Sequence, residues 1–130
     1  MSLTAGKPKI LVVEDEPFLL DSMIIILSSE AYEVSGASNG HLALESIAAS
    51  MPDLVISDVM MPLMDGYQLI SHLRANPKTV ALPVIVLSGR VDETFVEEGL
   101  AMGVTSFIKK PFDINEFLAA VSRVFANSKP

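Results

Sequence analysis

Three acidic side chains stand where chemistry could begin: Glu14 and Asp15 directly follow the apolar run Ile10 to Val13, and Asp58 directly follows Leu54 to Ser57. Where those two runs are neighbours in space, the three carboxylates converge. Like charges held a few ångströms apart raise one another's pKa and destabilise a fold, so such a cluster is kept either partly protonated or around a cation. Mg²⁺ suits the donors, because it takes oxygen ligands, keeps several waters and commonly uses one or two carboxylates together with a substrate phosphate. Two further groups end later apolar runs: Ser88 closes Val84 to Ser88, and Lys110 follows Ser106 to Lys109 and precedes Pro111. An ammonium group offsets carboxylate charge and binds phosphoryl oxygens, and a hydroxyl can hold another. The set reads as a phosphoryl-transfer site.

The elements that must position these groups follow from the hydrophobic pattern. Five short apolar runs, Ile10 to Val13, Glu33 to Ala37, Leu54 to Ser57, Val84 to Ser88 and Ser106 to Lys109, have strand length. Between them apolar residues recur at helical spacing: Leu19, Met23, Ile26 and Leu27, then Leu42, Ala43 and Ile47, and later Leu118, Val121, Val124 and Phe125. Pro17 stands where a first helix opens, Ser38 is placed to cap a second and Asp113 the last, while Pro52, Pro77 and Pro83 fall in connections. Each interval is long enough for a helical crossover, so the pattern predicts an α/β fold, a doubly wound five-stranded parallel sheet covered by helices on both faces. In such sheets ligands bind at the carboxyl ends of the strands, where the strand order reverses. All five candidate residues fall at those ends.

Composition narrows the function. The chain has 130 residues, half of them hydrophobic, with 8 prolines and 7 glycines, enough apolar surface for one folded domain. It has no cysteine, which excludes thiolate nucleophiles, disulfides and Cys-ligated zinc and goes with a reducing, cytoplasmic setting. Sixteen acidic against nine basic residues give a net charge of -7, which opposes nucleic-acid binding through this domain, since phosphate binding needs clustered Lys and Arg. No apolar run approaches the roughly 18 residues of a membrane span, and none before Ile10 has the length of a signal-peptide core. No internal repeat is present.

At this point the residues resemble a known family, the receiver domain of two-component response regulators, including the stand-alone chemotaxis type. The resemblance covers about residues 8–126 and rests on Glu14 and Asp15, on Asp58 after an apolar strand, on Pro62, Asp65 and Gly66 in the following loop, on Ser88, and on Lys110, Pro111 and Phe112. It implies the flavodoxin-like receiver fold with five helices and strand order 2-1-3-4-5, with residues 1–7 as an N-terminal tail and 127–130 as a C-terminal tail or linker. It implies a signalling phosphoacceptor rather than an enzyme, one that assists its own phosphorylation and slow dephosphorylation. Asp58 would take the phosphoryl group from a phosphohistidine on a histidine kinase or histidine phosphotransfer protein. Asp15, Asp58 and the backbone carbonyl of Met60 would ligate Mg²⁺, with Glu14 acting largely through a bound water, and Ser88 and Lys110 would hold phosphoryl oxygens. Ser88 and Phe107 would carry the switch to a face built from the fourth helix, fifth strand and fifth helix, which would bind an output domain or protein. A homodimer through the fourth and fifth helices is a further family-based expectation, and the Lys110–Pro111 bond is often cis in the family. Departures are modest: Glu14, Ser88 and Phe107 stand where Asp, Thr and Tyr are more frequent. Met60 and Arg90, two positions after Asp58 and Ser88, flank the expected path of an attacking water and are expected to slow loss of the phosphoryl group.

Each residue also has a plainer reading. An isolated strand-end Asp is ordinarily a turn or cap residue, a run such as Glu14, Asp15, Glu16 is ordinarily a solvated helix start, and a lone Phe107 is ordinarily core. Lys109 reads as surface charge. His41 and His72 have no ligand partner at metal-motif spacing and read as surface or packing residues. A flavin carrier of similar topology would need a Gly, Ser and Thr-rich loop where Glu14 to Pro17 stand, and a haloacid-dehalogenase-like phosphatase would need a second Asp where Met60 stands. The remaining alternative is a receiver-like binding module that works without phosphorylation.

Overall fold

Every second residue of the first strand is committed to one of two cores, and that alternation organises the molecule. In the computed structural model, which describes residues 6–59, 66–89 and 92–127, β1 (Lys9–Val13), β2 (Glu33–Ala37), β3 (Leu54–Asp58), β4 (Val84–Ser88) and β5 (Ser106–Lys109) form one sheet. All pairings are parallel, in the order β2-β1-β3-β4-β5. The crossovers are α1 (Pro17–Ser28), α2 (Gly40–Ala49), α3 (Gly66–Ala75) and α4 (Glu93–Ala101), and α5 (Ile114–Asn127) follows β5.

Leu11 and Val13 point into a core with Val55, Val84 and Val86, closed by Ile47 of α2, Leu69 and Leu73 of α3 and Phe95 of α4. Ile10 and Val12 point the other way, with Leu54, Ile56, Ile85 and Leu87, and are closed by Met23 and Leu27 of α1 and Phe117 and Val121 of α5. Strands covered on both faces read as near-continuous apolar runs rather than alternating ones, and β4, Val-Ile-Val-Leu-Ser, is buried at every residue. At the amino ends of β4 and β5 the Arg74 guanidinium donates to the carbonyls of Leu82 at 2.9 Å and Met102 at 2.8 Å, tying the two entering loops to α3.

The sheet and its order agree with the expected architecture, and local details differ in two places, both at α2. The cap of α2 is Asn39 rather than Ser38: Asn39 is extended, at φ -158 and ψ 173, and its side chain accepts from Leu42 N at 2.8 Å. The apolar stripe of α2 is Gly40, Ala43, Leu44 and Ile47, spaced i, i+3, i+4, i+7, so Leu42 lies off it and is 44% exposed. At α1, Pro17 takes the first helical position as expected, and the cap is Glu16, whose carboxylate accepts from Phe18 N and Leu19 N. Asp113 does cap α5, accepting from Asn115 N at 2.8 Å. Among the described residues no helix is long and apolar enough to cross a membrane.

Candidate functional site

Strand register brings the candidate residues level. Val13 of β1 pairs with Ser57 of β3, so Glu14 and Asp58, each one residue on, leave the sheet side by side. Asp58 in turn pairs with Leu87 of β4, and Ser88 pairs with Lys109 of β5. Backbone bonds continue past the strand ends, from Glu14 N to the Ala37 carbonyl at 3.0 Å and from Lys110 N to the Ser88 carbonyl at 2.8 Å, which hold the tips in place. The order of strands reverses at β1 and β3, so the acids stand at the switch point where ligands bind in open parallel sheets.

The acidic run splits into three tasks. Glu14 is 1% exposed and turns inward, its Oε1 accepting from Lys110 Nζ at 2.9 Å and its Oε2 from Glu16 N at 3.2 Å. Asp15 is exposed and contributes an oxygen that lies, with one each from Glu14 and Asp58, in a cluster no wider than 4.8 Å. Glu16 turns away to cap α1. Its capping role was hidden in the sequence by the two acids before it.

Lys110 donates to Asp58 Oδ2 at 2.7 Å as well as to Glu14. Burial pushes the Glu14 carboxyl above its ordinary value of 4.5; the Lys110 hydrogen bond opposes this without cancelling it, and the nearby Asp58 charge adds to it. Burial acts to lower the Lys110 ammonium, but hydrogen bonds to Asp58 and Glu14 outweigh it and hold the group above its ordinary 10.5. Three carboxylates therefore face one ammonium. Such an excess of hard oxygen donors around a small space is the donor set that a divalent cation such as Mg²⁺ takes.

Ser88 is fully buried beside Leu87, which pairs with Asp58. Phe107, three residues before Lys110, is half-buried and turned towards α4, edge-on to Phe95 with ring centroids 5.9 Å apart. Lys109 is exposed, as are His41 and His72, and the acidic cluster includes neither histidine. The Lys110–Pro111 peptide is cis. Met60, Pro62, Asp65 and Arg90 lie outside the described residues, and Gly66 opens α3. Sequence reasoning missed Tyr67 and Gly99, which surround the Phe107 ring; the one available signal was a glycine inside a helical segment, which costs helix stability and marks a close approach.

Residues 10–122 match the family described as response regulator receiver domain. The chain is 37% identical over 123 residues to the phosphate regulon transcriptional regulatory protein PhoB of Rhizobium meliloti, covering 95% of this chain and 54% of that one. It is 36% identical over 121 residues to histidine kinase P4 of Formosa agariphila, covering 93% of this chain and 9% of that one. It thus spans about half, or much less, of the curated relatives it matches. Among solved structures, the signal receiver domain of a signal transduction histidine kinase from Syntrophus aciditrophicus superposes with a TM-score of 0.85 at 35% identity, covering 94% of this chain and 92% of that one. The chemotaxis protein CheY4 of Vibrio cholerae superposes with a TM-score of 0.88 at 29% identity, covering 92% and 99%.

Proposed function

The chain belongs to the response regulator receiver domain family, and from that premise we propose that Asp58 accepts a phosphoryl group from a phosphohistidine on a histidine kinase or histidine phosphotransfer protein. The observation that carries this reading is the double contact of Lys110 Nζ, 2.7 Å from Asp58 and 2.9 Å from Glu14. In the proposed step an Asp58 carboxylate oxygen attacks phosphorus, the phosphorus–nitrogen bond of the donor breaks, and the imidazole nitrogen keeps the electron pair and takes up a proton. The product is an acyl phosphate.

Residues of this chain do the positioning. Lys110, already drawn to Asp58, exchanges a carboxylate contact for a phosphoryl oxygen, and the Ser88 hydroxyl donates to another. Asp15, Asp58 and the backbone carbonyl of Met60 are the proposed Mg²⁺ ligands, with Glu14 acting through a water; the ion supplies charge neutralisation of the phosphoryl oxygens when bound. The phosphoryl group carries about 1.5 to 2 negative charges, and because it replaces the charge of the Asp58 carboxylate the rim gains about 0.5 to 1 net, together with the group's acceptor oxygens. Two packings that differ by a few kcal/mol change population under such a bias, and the proposed readout is the α4, β5 and α5 face, linked to the site through Ser88 and Phe107. The output partner binds there. A cytoplasmic setting goes with this role. Met60 and Arg90 are proposed to slow hydrolysis, so Met60→Asn with Arg90→Glu shortens the acyl-phosphate half-life.

Incubation with Mg²⁺ and a small phosphoramidate, followed by intact-mass measurement, tests the proposal. A phosphoryl mass gain that disappears in Asp58→Asn supports it. A folded wild-type chain that gains nothing favours a binding module working without phosphorylation.

A further inference from the structure

Helix α4 carries a glycine, Gly99, within its second half and buried, where the helix itself would prefer almost any other residue. The reason lies across the interface. A Cβ at residue 99 would stand 2.4 Å from Cζ and 2.8 Å from Cε2 of Phe107, and 2.8 Å from the Tyr67 hydroxyl, closer than real Cβ atoms come to their neighbours. Tyr67 of α3 stacks on Phe95 with ring centroids 5.0 Å apart, and its hydroxyl donates to the Phe95 carbonyl, tying α4 to α3. Phe107 of the edge strand β5 then meets Phe95 edge-on from the other side.

We propose that Gly99 is the socket of the Phe107 ring: the missing side chain lets the ring rest inward beneath α4 in the unmodified chain, so the size of residue 99 sets the resting balance of the ring between inward and outward positions. A methyl group at residue 99 is caught between the Tyr67 hydroxyl and the ring. Helix α4 resists moving, since Tyr67 holds it at Phe95 and the Gly99 carbonyl accepts from both Met102 N and Val104 N at 3.0 Å. The ring, half-buried and at the far end of a rotatable side chain on an edge strand, is the part that gives way. Its consequence for signalling rests on the proposed function, in which Phe107 links the site to the α4, β5 and α5 face, and takes the inward ring as the state that phosphorylation favours. The position of the ring itself does not.

Fluorine NMR of the full chain labelled with fluorophenylalanine tests this, with the Phe107 signal assigned by its loss in Phe107→Leu. In the wild type that signal is shielded from a soluble paramagnetic probe, and in Gly99→Ala it becomes strongly broadened. Alanine favours helix, so α4 itself is not weakened by the change. Beryllofluoride binding in the presence of Mg²⁺ weakens by about tenfold in Gly99→Ala, as expected if the inward fraction falls to about a tenth, and Gly99→Ala with Phe107→Leu recovers the affinity of Phe107→Leu alone. An unchanged Phe107 signal in Gly99→Ala, or an affinity loss that is the same with and without the ring, overturns the socket. Failure of the wild type to bind beryllofluoride overturns the proposed function instead, while the fluorine comparison still decides where the ring sits.

Discussion

Lys110 Nζ lies 2.7 Å from Asp58 Oδ2 although 52 residues separate them, and the same atom reaches Glu14 Oε1, 96 residues away, at 2.9 Å. Two nearly inaccessible carboxylates thus share one ammonium, and the exposed Asp15 adds a third negative charge beside them. The site is short of positive charge by construction, and its responses to pH and to divalent cations follow from that.

Removing Lys110 leaves Asp58 and Glu14 without their shared cation. Lys110→Met lowers stability at pH 7 by about 2 kcal/mol, less than the ~3–5 kcal/mol of a fully buried pair because the lysine side chain is 24% exposed. The sign in the wild type is set by the raised Lys110 pKa: its contribution is complete below 10.5 and is lost as the pH rises through the folded value. Urea denaturation shows a loss above that pH that is absent in Lys110→Met.

The Glu14 carboxyl behaves in the opposite region. Its pKa is raised above 4.5, so its contribution to stability is complete below 4.5 and is lost as the pH climbs through the folded value, leaving the metal-free fold under a cost at pH 7. Glu14→Gln keeps the shape and removes the charge; its single amide oxygen can still accept from Lys110, while the weaker contact from Glu16 N at 3.2 Å is given up. Its melting temperature without Mg²⁺ exceeds that of the wild type at pH 7 and equals it near pH 4; a lower value at pH 7 contradicts the assignment.

Mg²⁺ acts on the same surplus of charge. At one hundred times its dissociation constant the ion stabilises the wild type by about 2.7 kcal/mol, a rise in melting temperature on the order of 10 °C for a domain of this size. Asp15→Asn and Asp58→Asn each lose most of that rise. Equal rises in all three proteins place the ion elsewhere.

Much of this was legible in the sequence, and the exceptions have physical causes. Strand runs such as Val84 to Ser88 declared themselves because a strand buried on both faces admits little but apolar residues. Glu14, Asp58, Ser88 and Lys110 stood out because each follows or closes such a run. The stripe of α2 was misphased at Leu42 because Ala43 and Ile47 anchor it equally well, and only the packing of Leu44 against the core decides. Glu16 was hidden among three acids, although its carboxylate is spent on α1. Gly99 was readable only as a glycine inside a helical segment; the atoms it makes room for come from α3 and β5, and no local pattern names them.

The cap of α2 offers a sharp local check. Ser38 and Asn39 are both good capping types, but only the Asn39 side chain accepts from the first turn. Asn39→Ala therefore costs about 1 kcal/mol by denaturation, whereas Ser38→Ala stays within about 0.5 kcal/mol of the wild type. The reverse order contradicts the assigned cap.

The central claim, that the pocket around Lys110 forms an acyl phosphate on Asp58, is tested most directly by trapping the bond. The chain is treated with Mg²⁺ and a small phosphodonor, reduced with borohydride, which converts an aspartyl phosphate to homoserine, and mapped by peptide mass spectrometry. The account predicts homoserine at position 58 and at no other aspartate. A phosphoryl group mapped to Ser88 or to a histidine, or no conversion in a folded chain that binds Mg²⁺, contradicts it.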